Sequence, residues 1–160
     1  MRMLKMLEKV EKSSSVAAQK INPLAQSWME NKLNQLLETL AGDYKDYKLG
    51  DAMMNLYNFI WNDFFSEYLE MIKPNYGEPI DQETYDEAIG FFEKLMTVLH
   101  PFMPFITEEI WHYLIERKEG EDCVVSTYPT IGSFDKKAYK EVDQAIDIIS
   151  KIRATRKDKG

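Results

Sequence analysis

Few residues in this 160-residue chain could do covalent chemistry, and their spacing argues against it. His100 and His112 are the only imidazoles, and Cys123 is the only thiol. Glu109 and His112 form a Glu-x-x-His pair, one of the two such pairs that a di-iron carboxylate bundle needs. That chemistry requires a second pair and two more inward glutamates, and the sequence offers one pair. His100 sits between Leu99 and Pro101 in an apolar stretch, the setting of a structural histidine. The carboxylates within 81–87 and 116–122 lack calcium-loop spacing, so they read as solvated surface. The seven glycines are scattered, so there is no phosphate-cradling loop. No metal ligand set emerges. What remains is the chemistry of binding. Tyr44, Tyr47 and Tyr57 gather near one expected break between helices, where an exposed ring could stack on an unpaired base. Trp28, Trp61 and Trp111 fall on apolar stripes and read as core.

The charge is divided along the chain. Net charge is −7, which argues against polyanion binding by the surface as a whole. Residues 1–23 carry five basic and two acidic groups, and residues 136–160 carry eight basic and four acidic. The stretch 24–135 carries seven basic and 21 acidic groups. An acidic body with basic ends must meet any polyanion at a local patch or at its termini. A single cysteine excludes internal disulfides and fits a reducing cytoplasm. No apolar run reaches the roughly 18 residues of a membrane span, and no signal peptide is visible.

These residues have to be positioned by helices. Arg2–Lys12 has a short helical period in Met3, Leu4, Leu7 and Val10, followed by a Ser-rich linker. Asn22 and Pro23 read as cap and first residue of a helix whose stripe (Leu24, Trp28, Leu33, Leu36, Leu37, Leu40) runs to about Tyr47. Lys48–Gly50 is a break. Asp51–Ile72 is the most apolar helix, expected to sit centrally, and Pro74 closes it. Asp81 caps a helix to Leu99 with Ala88, Ile89, Phe92, Leu95 and Met96 inward. Pro101 stops that helix and Pro104 starts another, to Arg117, with Trp111 inward. Phe102, Met103, Phe105 and Ile106 make this corner apolar, so it is expected to be buried. CVVSTYP has the composition of a lone strand. Asp135 is expected to cap a last helix with Ala138, Val142, Ala145, Ile146, Ile149 and Ile152 inward. The fold class is all-α: an antiparallel bundle of four principal helices with a short N-terminal helix, one lone strand and a C-terminal helix. Residues 1–22 form the lead-in, 23–118 the bundle and 119–160 the segment leading out.

Two segments carry a family resemblance. LGDAMMNLYNFIWNDFFSEYLEMIKP (Leu49–Pro74) and LHPFMPFITEEIW (Leu99–Trp111) lie about 25 residues apart. In this order they resemble the C-terminal helical anticodon-binding domain of the valyl-tRNA synthetases, which are class I aminoacyl-tRNA synthetases. Tyr57, Phe59, Trp61, Phe64, Tyr68, Leu69, Glu70, Lys73 and Pro74 match the family's pattern. Phe65, Ser66 and Glu67 replace its usual Cys-Asp-Trp, and Lys48 stands where Arg is frequent. The likeness covers about residues 24–156. The isoleucyl- and leucyl-tRNA synthetases share the bundle and a proline corner but not the order of the first segment.

The resemblance implies a non-catalytic piece of an aminoacyl-tRNA ligase, with Met1 and Gly160 marking where the piece was cut. HIGH-like and KMSKS-like ATP signatures and an editing domain are absent from the sequence. The parent enzyme would use ATP and magnesium to join valine to its tRNA; this stretch would hold no cofactor. Its partners would be valine tRNA and the remainder of the synthetase, in the cytoplasm. From residue type and position, Lys45, Lys48, Asn55 and Asn58 are candidate contacts to anticodon bases, with Tyr44 or Tyr47 stacking. Lys73, Arg153, Arg156 and Lys157 are candidates for backbone phosphates. A competing reading is a protein–protein scaffold whose methionines (Met53, Met54, Met71) dock a partner. A metal-carboxylate enzyme is a third.

Overall fold

A computed structural model describes residues 23–74, 80–135 and 140–159. The expected short helix over Arg2–Lys12, its linker and the Asn22 cap lie outside the described residues. Among the described residues every regular element is helical and there is no strand. No described helix is long and apolar enough to cross a membrane.

Helix α1 (Pro23–Lys45) buries Ala25, Trp28, Met29, Leu33, Leu36, Leu37 and Leu40. Their recurrence every three or four residues makes one inward stripe. The helix stops at Lys45, short of the expected Tyr47. The Tyr47 N–H donates to the Tyr44 carbonyl (3.1 Å) and the Lys48 N–H to the Asp43 carbonyl (2.8 Å), a Schellman closure. Helix α2 (Leu49–Asn58) starts at once and runs back along α1. The Asn55 amide donates to Asp43 Oδ2 (2.8 Å), and Lys32 pairs with Asp63 (3.4 Å).

Helix α2 passes into a π-helical segment (Phe59–Tyr68) and a closing α turn (Leu69–Met71). The sequence suggests why. Leu56, Ile60, Phe64, Tyr68 and Ile72 recur every four residues. In an α-helix each such step overshoots a full turn by about 40°, so the stripe would wind off the core. The wider i→i+5 turn takes up that overshoot. The Leu69 N–H accordingly reaches the Phe64 carbonyl, five residues back. Phe64 and Tyr68 are buried as a result. Trp61 falls on the outer side at 59% exposure, so the expectation of a core tryptophan fails there while Trp28 and Trp111 are buried.

Helix α3 (Gln82–Leu99) begins as expected at Asp81, whose Oδ1 accepts the Thr84 N–H (2.9 Å). Its inward face supplies Ala88, Ile89, Phe91, Phe92, Leu95, Met96 and Val98. Phe92 stacks on Phe64 with centroids 5.6 Å apart and planes within 7°. Phe91 meets Tyr68 edge-on at 5.5 Å. These rings join α3 to the π segment, each pair contributing about 0.5–1.5 kcal/mol beyond its burial.

Pro104 opens α4 (Pro104–Leu114), three residues shorter than expected. The proline corner is not buried: Met103, Pro104 and Ile106 are exposed and Phe105 is 91% exposed. Polar contacts secure it instead. Thr107, wholly buried, donates from Oγ1 toward the Met103 carbonyl (2.9 Å) and lies 2.8 Å from His100 Nδ1. Through Thr107, His100 takes part in holding the corner. Beyond α4, Arg117 lies over the Trp111 ring (3.8 Å) and pairs with Glu93 on α3.

The expected strand is a 3₁₀ turn (Cys123–Val125). With no neighbouring strand among the described residues to accept its ladder, the backbone turns to the Glu108 carboxylate, which accepts the Cys123 and Val124 N–H groups (2.7 and 3.3 Å). The chain then returns along α1. Gly132 and Asp135 donate backbone N–H groups to Asn34 and Asn31 (2.7 and 2.8 Å). A Cβ at position 132 would stand 3.1 Å from the Asn34 side-chain oxygen, a tight contact that the Asn34 amide would have to yield to by a few tenths of an ångström. Helix α5 (Lys140–Lys159) docks by its first turns, through buried Val142 and half-buried Ile146. Ala145, Ile149 and Ile152, expected inward, are exposed. The expected Asp135 cap and the inward Ala138 depend on residues 136–139 and lie outside the described residues; the Asp135 N–H itself is given to Asn31.

Candidate nucleic-acid interface

The α1–α2 corner presents the most unusual residue of the chain. Tyr47 has φ 58°, and among the described residues no other non-glycine has positive φ. It occupies the position after the helix where glycine is favoured, because a Cβ in left-handed geometry costs roughly 1–2 kcal/mol. Its ring buries almost nothing in return, being 90% exposed. Strain of this kind concentrates where a side chain has to be presented. Lys45 and Lys48 are exposed on either side, and Lys48 shares its charge with Asp46 (3.0 Å).

Tyr44 is not a second free ring. It is half-buried, packs on Phe102 (6.3 Å between centroids) and holds its hydroxyl beside Tyr128 without the geometry of a full hydrogen bond. Burial pushes the Tyr44 and Tyr128 phenols upward. The sequence could not separate Tyr44 from Tyr47, because their difference depends on Phe102, nearly 60 residues away.

Asn55 and Asn58 face α1 across a polar cleft of about 180 Å³, lined also by Lys32, Gln35, Thr39 and Asp63. Asn58 is exposed at its mouth, while Asn55 is committed to Asp43. Gln35 and Thr39 were missed by sequence reasoning. The available signal was their i, i+4 spacing opposite the leucine stripe of α1. Behind the cleft, Lys32 bridges Asp63 and Asp143 (3.4 and 3.2 Å), and the Trp28 indole N–H donates to Asp143 (2.9 Å). Burial pushes the Asp63 carboxyl up despite the Lys32 ammonium.

The phosphate candidates are not gathered with these groups. Lys73 follows the last turn of the central helix, at the end away from Tyr47, and pairs with Glu70 (3.1 Å). Arg153, Arg156 and Lys157 lie on the outer turns of α5, where Arg156 is exposed. On the outer face of α2 and the start of the π segment, Met54, Tyr57 and Trp61 are exposed at i, i+3, i+7.

The sequence profile of the anticodon-binding domain of tRNA ligase matches residues 26–160. The chain belongs to this family. As an anticodon-binding domain it has curated relatives of like sequence. It is 42% identical over 136 residues to a valine–tRNA ligase of Phocaeicola vulgatus and 39% identical over 136 residues to one of Christiangramia forsetii. Both alignments cover 85% of this chain and 16% of the relative. A valine–tRNA ligase of Parabacteroides distasonis is 39% identical over 146 residues, 91% of this chain and 17% of the relative. This anticodon-binding domain thus spans about a sixth of the length of the curated relatives it matches.

Proposed function

We propose that the chain is the anticodon-reading module of a valine–tRNA ligase, non-catalytic in itself, with residues 23–118 as an antiparallel four-helix binding unit and 119–160 leading out of it. The parent enzyme would join valine to its tRNA with ATP and magnesium in the cytoplasm, and the remainder of that enzyme would be a permanent partner. Tyr47 carries the reading: a strained, exposed ring flanked by Lys45 and Lys48 suits an unpaired base better than it suits a fold. Such a base would stack on Tyr47 while an amide of the adjoining cleft, Asn58 first, meets its edge. Lys45 and Lys48 would hold neighbouring phosphates. Tyr44 and Asn55 would support the corner without touching RNA. Lys73, Arg153, Arg156 and Lys157 would meet phosphates farther along the tRNA. The acidic body would turn tRNA away from wrong faces.

Valine is favoured over isoleucine or leucine by the curated relatives named above. The scaffold reading draws support from the exposed Met54, Tyr57 and Trp61 stripe, which would suit apolar contact with another part of the synthetase. Fluorescence titration with valine tRNA and an anticodon-substituted copy separates the two. The binding reading expects a Kd on the order of tens of micromolar, weakening steeply with salt, and weaker for the substituted copy. Equal affinity for both at low salt overturns it.

A further inference from the structure

Glu108, His112 and Asp122 bring one ligand atom each to within 4.8 Å of one another. Glu108 and His112 are four residues apart on one helical face, and Asp122 comes from the loop before the 3₁₀ turn. His112 Nε2 lies 2.9 Å from Asp122 Oδ1 and 3.3 Å from Glu108 Oε1. Ligand atoms around a tetrahedral zinc ion, with bonds of about 2.0–2.1 Å, stand roughly 3.3 Å apart. The cluster therefore needs only small movements to surround an ion.

Three further observations point the same way. Glu108 is held by the backbone N–H groups of Cys123 and Val124, the kind of outer contact that fixes a metal ligand in advance. Among the described residues no lysine or arginine forms an ion pair with Glu108 or Asp122, so two carboxylates converge on one imidazole. An open cleft lined by His100, Pro104, Phe105, Glu108, Glu109 and His112 gives solvent access.

We propose that Glu108, His112 and Asp122 form a binding site for a zinc-type divalent ion, with a water completing its coordination. A neutral imidazole and two carboxylates match the charge of the ion. One nitrogen and two oxygens favour zinc over magnesium, which prefers an all-oxygen octahedron. The bound ion would pin the 3₁₀ turn to α4. The pair visible in the sequence, Glu109 with His112, is the wrong one: Glu108 shares the His112 face and Glu109 does not enter the cluster.

The test uses the full 160-residue chain, stripped with chelator and titrated with zinc by calorimetry and with cobalt by visible absorption. The expected result is one ion per chain, unaffected by excess magnesium, with cobalt bands of low coordination number. His112→Ala and Asp122→Asn should each weaken binding at least about tenfold, while Glu109→Gln leaves it unchanged. Circular dichroism of each variant confirms that it is folded. No binding by the folded wild-type chain, or affinity equal in His112→Ala and Asp122→Asn, overturns the proposal.

Discussion

The two helix corners of this domain solve the same problem in opposite ways. Between α3 and α4 the chain is turned by residues preset for turning: Pro101 and Pro104 restrict the backbone, and buried Thr107 ties the corner to His100 (2.8 Å). Between α1 and α2 the backbone closes with its own hydrogen bonds, and tyrosine sits where glycine would cost less. Both corners carry an exposed ring, Phe105 in one and Tyr47 in the other. The first ring rides on a secured turn; the second sits on a strained one. An exposed aromatic therefore carries a functional argument when the fold gives up stability to hold it, and exposure by itself does not.

The largest expected effect is at the secured corner. Thr107→Val keeps the shape and leaves His100 Nδ1 facing an apolar surface, so it should cost roughly 1–3 kcal/mol in urea unfolding. A negligible cost would assign the corner to its prolines alone and erase the contrast. The strained corner should respond in the opposite direction. Tyr47→Gly relieves the left-handed strain and should stabilise the domain by up to about 1 kcal/mol, reduced by the greater freedom of glycine when unfolded. Tyr47→Ala should give no such relief. In tRNA titrations both variants should lose the stacked base, about 1–3 kcal/mol. Destabilisation by Tyr47→Gly would remove the evidence of strain.

A smaller effect is expected at Pro104. Pro104→Ala frees the unfolded chain and should destabilise by roughly 0.4–1 kcal/mol, less than Thr107→Val. A larger loss would make the proline the principal lock. The smallest effect is a tilt with pH, and it should arise at neither corner. Burial, then the charges of Glu83, Asp81 and Glu30, pushes the Glu87 carboxyl up, although Gln26 donates to it (2.6 Å). The folded state then holds that proton more tightly than the unfolded chain. The stabilising contribution is full below the ordinary carboxylate range and is lost as pH rises through the raised folded value. Glu87→Gln should therefore flatten the pH dependence of thermal unfolding between mildly acidic and neutral pH, and should be the more stable form at neutral pH. Parallel profiles for wild type and variant would contradict this origin.

Sequence periodicity reached far into this fold because the helices have strong inward stripes. The Asp81 cap, the end of α3 at Leu99 and the start of α4 at Pro104 follow from local chemistry. Errors arose where the outcome depended on distant partners. Phe105 and Trp61 have core composition, yet the described residues leave them 91% and 59% exposed. CVVSTYP has strand propensity but no strand beside it among the described residues, and Glu108 accepts the Cys123 and Val124 N–H groups. The same limit divides the candidate site. Tyr47, Lys45 and Lys48 are neighbours in sequence and stay so in space. Gln35 and Thr39 join Asn55 and Asn58 only because α2 folds back on α1.

By itself the sequence determined the all-helical class, the order of the principal helices and the family motif, since caps, prolines and apolar spacing act within a few residues. Tertiary structure alone decided that Tyr44 is held by Phe102 and Tyr128 while Tyr47 stands free in solvent. It alone decided that Glu108, and not Glu109, meets His112 and Asp122. In each case two residues of like chemistry lie a few positions apart, and their fates diverge because the backbone directs them differently: Glu108 and Glu109 by the turn of α4, Tyr44 and Tyr47 by the end of α1 between them.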